Sequence, residues 1–86
     1  MVKRLNTEFS FLFLRDDSAY CVVLFGIGND VNGNRRYEAF VSNVTAISEN
    51  NRVGGASHYR FTGHCMGPQD EAQWILDHHI MEERKD

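Results

Sequence analysis

Phe9-Ser10-Phe11-Leu12-Phe13-Leu14 and Ala19-Tyr20-Cys21-Val22-Val23-Leu24-Phe25 decide the fold. Both runs are rich in aromatic and β-branched side chains and are bounded by turn residues, which marks them as strands. Side chains alternate across a strand, so Phe9, Phe11 and Phe13 point one way and Leu12 and Leu14 the other. Both faces of the resulting sheet are apolar, while the rest of the chain offers one helix to cover them. The surplus implies a protein that works by contact, with a second copy, a partner or a long loop over the uncovered side.

Outward from these runs the chain reads as four strands and a helix. Strand one spans 8–14, and Arg15-Asp16-Asp17-Ser18 is a four-residue polar turn into strand two, 19–28. In Asn29-Asp30-Val31-Asn32-Gly33-Asn34, the Asn32-Gly33 pair is the strongest hairpin signal, because both residues tolerate the positive φ of a type I′ turn. Centring the turn there sets Gly28 opposite Tyr37, Gly26 opposite Ala39, Phe25 opposite Phe40 and Leu24 opposite Val41 in strand three, 35–44. One face of the meander then collects Phe9, Phe11, Phe13, Tyr20, Val22, Leu24, Tyr37, Ala39 and Val41. The other collects Leu12, Leu14, Cys21, Val23, Phe25, Ile27, Phe40 and Val44. A one-residue slip exchanges the sets, so the assignment rests on register.

Residues 48–57 form a polar loop around Gly54-Gly55, expected to be the least ordered stretch. Strand four, 58–65, alternates Tyr59, Phe61 and Cys65 on one side with His58, Arg60, Thr62 and His64 on the other, so one of its faces meets water or a polar ligand. Gly67-Pro68 with Asp70 and Glu71 is a helix start, since Pro suits the first turn and acids complement the positive end of the helix dipole. Ala72, Ile75, Leu76, His79 and Ile80 make the buried stripe, flanked by Trp74 and Met81, with Asp77, Glu82 and Glu83 outside.

Eighty-six residues make a single domain, 1–86, whose small core gains materially from a dimer interface. The net charge of −3 is unevenly spread. Through residue 65 basic and acidic side chains nearly cancel, whereas the remainder carries six acids against Arg84 and Lys85. No apolar stretch approaches the length of a membrane span, and 9–14 is too short for a secretory leader. Cys21 and Cys65 do not make a disulfide framework, so a cytoplasmic setting with reduced thiols is expected, and the Asn43-Val44-Thr45 sequon is then idle.

His64, Cys65, His78, His79 and Cys21 are the conceivable metal ligands. Adjacent helical histidines diverge by about 100°, and no Cys-x-x-Cys or spaced His pair is present, so no metal and no cofactor is expected. Cys21 in mid-strand and Cys65 beside a His64 that points to the other face read as buried, inert thiols, and nothing else has the pattern of an active site. Arg36-Tyr37-Glu38-Ala39-Phe40-Val41-Ser42 partly resembles an RNA-recognition strand. Tyr37 stands where that pattern has Gly, Glu38 replaces a base-stacking aromatic, Asn43 replaces the last aromatic, and that fold's first helix is missing. An acidic pI of about 5.7 also opposes phosphate binding.

The expectation is therefore an α+β domain: an antiparallel meander of about four strands followed by one C-terminal helix packed on the sheet. Its expected role is that of a non-enzymatic binding protein, an inhibitor or adaptor acting on a protein partner and working as a homodimer. In size and build it resembles phage-encoded antagonists of host machinery, anti-CRISPR proteins among them. Partner contacts are expected at the hairpin tip, Asn32, Asn34, Arg35 and Arg36, and self-association through Phe9, Phe11, Phe13, Tyr20 and Tyr37. The alternative is a nucleic-acid-binding module using Arg35, Arg36, Arg52, Arg60 and Tyr59.

Overall fold

In a computed structural model that describes residues 7–45, 56–64 and 66–83, the chain forms β1 (Thr7–Arg15), β2 (Ser18–Asn29), β3 (Arg35–Asn43), β4 (Ser57–Thr62) and one helix, α1 (Pro68–Glu83). The strands make one open antiparallel sheet in the order β1-β2-β3-β4, and the helix packs on it. The fold is the expected α+β meander. Most of the expected loop 48–57, Arg52 included, and Cys65 lie outside the described residues.

The two turns exchange the roles expected of them. Between β1 and β2 the strands stay paired to Arg15 opposite Ser18, leaving a loop of only Asp16 and Asp17, with φ of 51° and 66°. These left-handed values are those of a type I′ turn, whose twist matches that of the strands, and Asp tolerates them through its short polar side chain. At the second hairpin only Gly33 of the Asn32-Gly33 pair has positive φ, 87°. The Asp30 carboxylate organises that loop instead, accepting from the Asn32 and Asn34 amides at 2.9 Å each, while Gly33 N donates to Asp30 O at 3.1 Å. This longer loop and a bulge between Gly26 and Asn29 correct the expected register: Leu24 pairs with Ala39, Phe25 with Glu38 and Gly26 with Tyr37. A shift of two residues keeps the paired side chains of 20–26 and 37–43 on their expected faces; Ile27 falls in the bulge and Val44 beyond the end of β3.

The helix covers the aromatic face. Val22, Leu24, Ala39, Val41, Ala72, Ile75 and Leu76 are fully or almost fully buried between sheet and helix, with Tyr20 and Tyr37 beside them. Phe9, Phe11, Phe13, Tyr59, Phe61 and Ile80 pack around this core half-buried. Burying a large apolar side chain contributes about 1.5–3 kcal/mol, so Val22, Leu24, Ile75 and Leu76 dominate the stability of the domain. Met81 is exposed, and Trp74 sits at the rim of the helix rather than under it. Strand β4 stops at Thr62, so His64 is not on the side shared by His58 and Arg60. It turns back over the Trp74 ring, 4.5 Å between centroids.

Candidate binding surfaces

Among the described residues, no helix or further strand packs over the opposite sheet face. Pairing across the strands sets Leu12 beside Cys21 and Ser42, Ser10 beside Val23, Phe40 and His58, and Glu8 beside Phe25, Glu38 and Arg60. Leu12 and Leu14 are 69% and 77% exposed, and Cys21, Val23, Phe25 and Phe40 are only half-buried. Phe40 is central to this surface, edge-on to Phe25 at 6.0 Å and stacked on the His58 ring at 4.8 Å. Cys21, expected to be a buried thiol, lies half-exposed and free on this apolar side.

At the β3–β4 end the open face becomes polar. Glu38 Oε2 lies 2.5 Å from His58 Nε2 and 3.5 Å from Arg60 Nε. The short hydrogen bond from His58 holds the Glu38 carboxyl below its ordinary value, outweighing partial desolvation, and the His58 and Arg60 charges add to the effect.

A second feature lies where the β2–β3 loop meets the start of α1. A cleft of about 330 Å³ is lined by Asn34, Arg35, Tyr37, Gly63, Met66 and Glu71, among others. Glu71, expected as a helix-start acid, is 1% exposed. Its Oε2 accepts from the His64 and Met66 amides at 2.6 and 3.3 Å, and Oε1 lies 3.1 Å from His64 Nδ1. The carboxylate thereby fastens the β4–α1 connection to the helix by accepting from two of its backbone amides. Gly63 allows this closure, because a Cβ there would stand 2.8 Å from the Tyr37 ring, 3.0 Å from Glu71 Oε2 and 3.1 Å from Arg35 O. Composition hinted at a helix start here but could not show that its fourth residue turns inward.

The rim of α1 carries further histidine pairs. His79, 5% exposed, has Nδ1 hydrogen-bonded with the Tyr59 hydroxyl at 2.8 Å and Nε2 3.4 Å from Glu83. Burial pushes the Tyr59 phenol up, and the charges of Glu82 and Glu83 push the same way against a hydrogen bond to Ser57. His78 lies 3.9 Å from Glu82 and stacks on Trp74. Among the described residues no group of three or more His, Cys, Asp or Glu could hold a metal ion.

The residues singled out from the sequence do not form one site. Arg35 and Arg36 are adjacent on β3 and so point to opposite faces, Arg35 toward the cleft and Arg36 toward the open side. Asn32 is exposed on the loop, while Asn34 is half-buried at the cleft. Of the nucleic-acid set, Arg60 is on the open face with Arg36, whereas Tyr59 is half-buried on the helix side. Of the residues expected to meet a second copy, Tyr20 and Tyr37, at 7% and 3% exposure, are buried in the core under α1, and Phe9, Phe11 and Phe13 pack half-buried beside it. No helix among the described residues is long and apolar enough to cross a membrane. Comparison with protein families, curated proteins and solved structures finds no match.

Proposed function

We propose that this is a non-enzymatic binding protein, an inhibitor or adaptor, that docks a partner protein on its open sheet face and does so as a homodimer. The observation that carries the reading is the apolar field of exposed Leu12 and Leu14 with half-buried Val23, Phe25 and Phe40 on the side opposite the helix, rimmed by Glu38, His58 and Arg60. A soluble domain seldom leaves so continuous an apolar surface without a use for it. A protein occupant fits better than a nucleic acid, because the patch is apolar and the Arg60 charge beside it is already paired with Glu38. A phage-type antagonist of host machinery is one form of such a protein.

The test is affinity capture from source-cell lysate with the wild type, Val23→Lys on the open face and Arg35→Glu at the cleft, identifying both protein and nucleic acid. The reading expects one protein retained by the wild type and by Arg35→Glu and lost with Val23→Lys. Retention by Val23→Lys with loss in Arg35→Glu moves the site to the hairpin cleft, and recovery of nucleic acid alone overturns the reading.

A further inference from the structure

We infer that two copies of this chain join edge to edge along β1, antiparallel, in the register that sets Phe11 opposite Phe11 of the second copy. This deepens the homodimer part of the reading above and needs nothing of the partner protein. Strand β1 ends the sheet and pairs only with β2, so its outer row of N–H and C=O groups meets no other strand among the described residues. Edges meant to stay free are normally blunted by proline, a central charge, a bulge or shortness. Strand β1 has none of these: its pairing with β2 is unbroken over all nine residues, and its charges, Glu8 and Arg15, lie at its ends. The other edge, β4, has six residues and carries His58 and Arg60.

Symmetry and charge fix the occupant and the register. Two copies related by a two-fold axis normal to the sheet keep like faces together, so opposed residues must share parity. Centring on Phe11 pairs every residue of β1: Phe9 with the second copy's Phe13, Ser10 with its Leu12, Glu8 with its Leu14 and Thr7 with its Arg15. Aromatic pairs then face one another on the helix side, extending the Phe11–Phe13 stack at 5.9 Å, and no like charges meet. Centring on Leu12 instead opposes Glu8 to the second copy's Asp16, and centring on Ser10 leaves Leu14 and Arg15 without β1 partners. The contact is closed, because each copy uses its one unguarded edge, and the two open faces become a single surface with Leu12 and Leu14 near the junction.

Sedimentation equilibrium on the purified full chain tests this, with Leu12→Lys and Ser10→Lys on the edge and Phe40→Lys in the middle of the open face. Leu12 and Ser10 are exposed, so lysine there leaves the core intact, and unchanged far-UV circular dichroism confirms it. The wild type and Phe40→Lys are expected at twice the chain mass, and both edge variants at the mass of one chain. Amide exchange in β1 should also slow as the wild-type protein is concentrated. A wild type that stays monomeric, edge variants that remain dimeric, or a dimer lost only in Phe40→Lys overturns the inference. A monomer whose partner capture still depends on Val23 defeats the edge and the homodimer part of the reading but leaves the docking of a partner on the open face standing; a dimer that captures nothing does the reverse.

Discussion

The two faces of this sheet share the same strands and end in different physical states. On one, Val22, Leu24, Ala39 and Val41 are at most 1% exposed under α1. On the other, the residues one position away in the same strands, Val23 and Phe40 among them, are only half-buried. The buried face is the one whose apolar set runs across all four strands, whereas the other mixes in Glu8, Ser10, Ser42, Glu38, His58 and Arg60. The helix chooses the former, and its stripe of Ala72, Ile75 and Leu76 fits the face whose small Ala39 lets the helix approach. What the helix leaves behind is the surface open to another molecule.

The comparison breaks most visibly if matched truncations on the two faces cost the same. Leu24→Ala is expected to destabilise by about 2–5 kcal/mol and Ile75→Ala by a similar amount, because both leave cavities in a closed layer. Leu14→Ala, at a residue 77% exposed, should stay within about 0.5 kcal/mol. Urea denaturation decides, and equal losses for Leu24 and Leu14 would mean that the faces are misassigned.

Next in size is the junction that holds the helix to the buried face. Gly63→Ala forces a methyl group against the Tyr37 ring, Glu71 and the Arg35 carbonyl, and should cost about 1–3 kcal/mol. Gly67→Ala, where a Cβ meets nothing within 4 Å, is the control and should cost much less in the same thermal melts. A similar loss at both positions would argue against close packing of the β4–α1 connection.

The smallest effect belongs to the polar rim of the open face. Glu38 is held below the ordinary carboxylate value chiefly by the His58 hydrogen bond, so folding favours its charged form. Its contribution is fully present above the unfolded value and is lost as pH falls through the lowered folded value. Wild type and Glu38→Gln should therefore converge in stability on acidification below about pH 4, with a modest difference at neutral pH because the site is exposed. A difference that grows towards acid contradicts this sign.

Face membership was legible in the sequence because alternation has a period of two and the register error was two residues: Leu24 keeps its face whether it opposes Val41 or Ala39. The register itself was not legible. Asn-Gly carries the usual hairpin signature, but the Asp30 side chain, two residues earlier, captures both flanking amides and sets a longer loop. Asp16-Asp17 has no glycine to advertise its left-handed pair. Asp70 and Glu71 together mark a helix start in the sequence, but the burial of Glu71 depends on the β4–α1 connection folding back over it, which no local pattern encodes. Arg35 and Arg36 looked like a pair because they are adjacent, and strand geometry parts them for the same reason.

The central claim, that the open face is the contact surface, is tested most directly by hydroxyl-radical footprinting of the protein free and bound to its captured partner. Protection on binding is expected at Leu14, Val23, Phe25, Phe40 and His58, with Asp70, Asp77 and Glu82 on the helix unchanged. Protection confined to the helix acids, or to Asn32, Asn34 and Arg35 at the hairpin, with Phe25 and Phe40 labelled equally in both states, would contradict it.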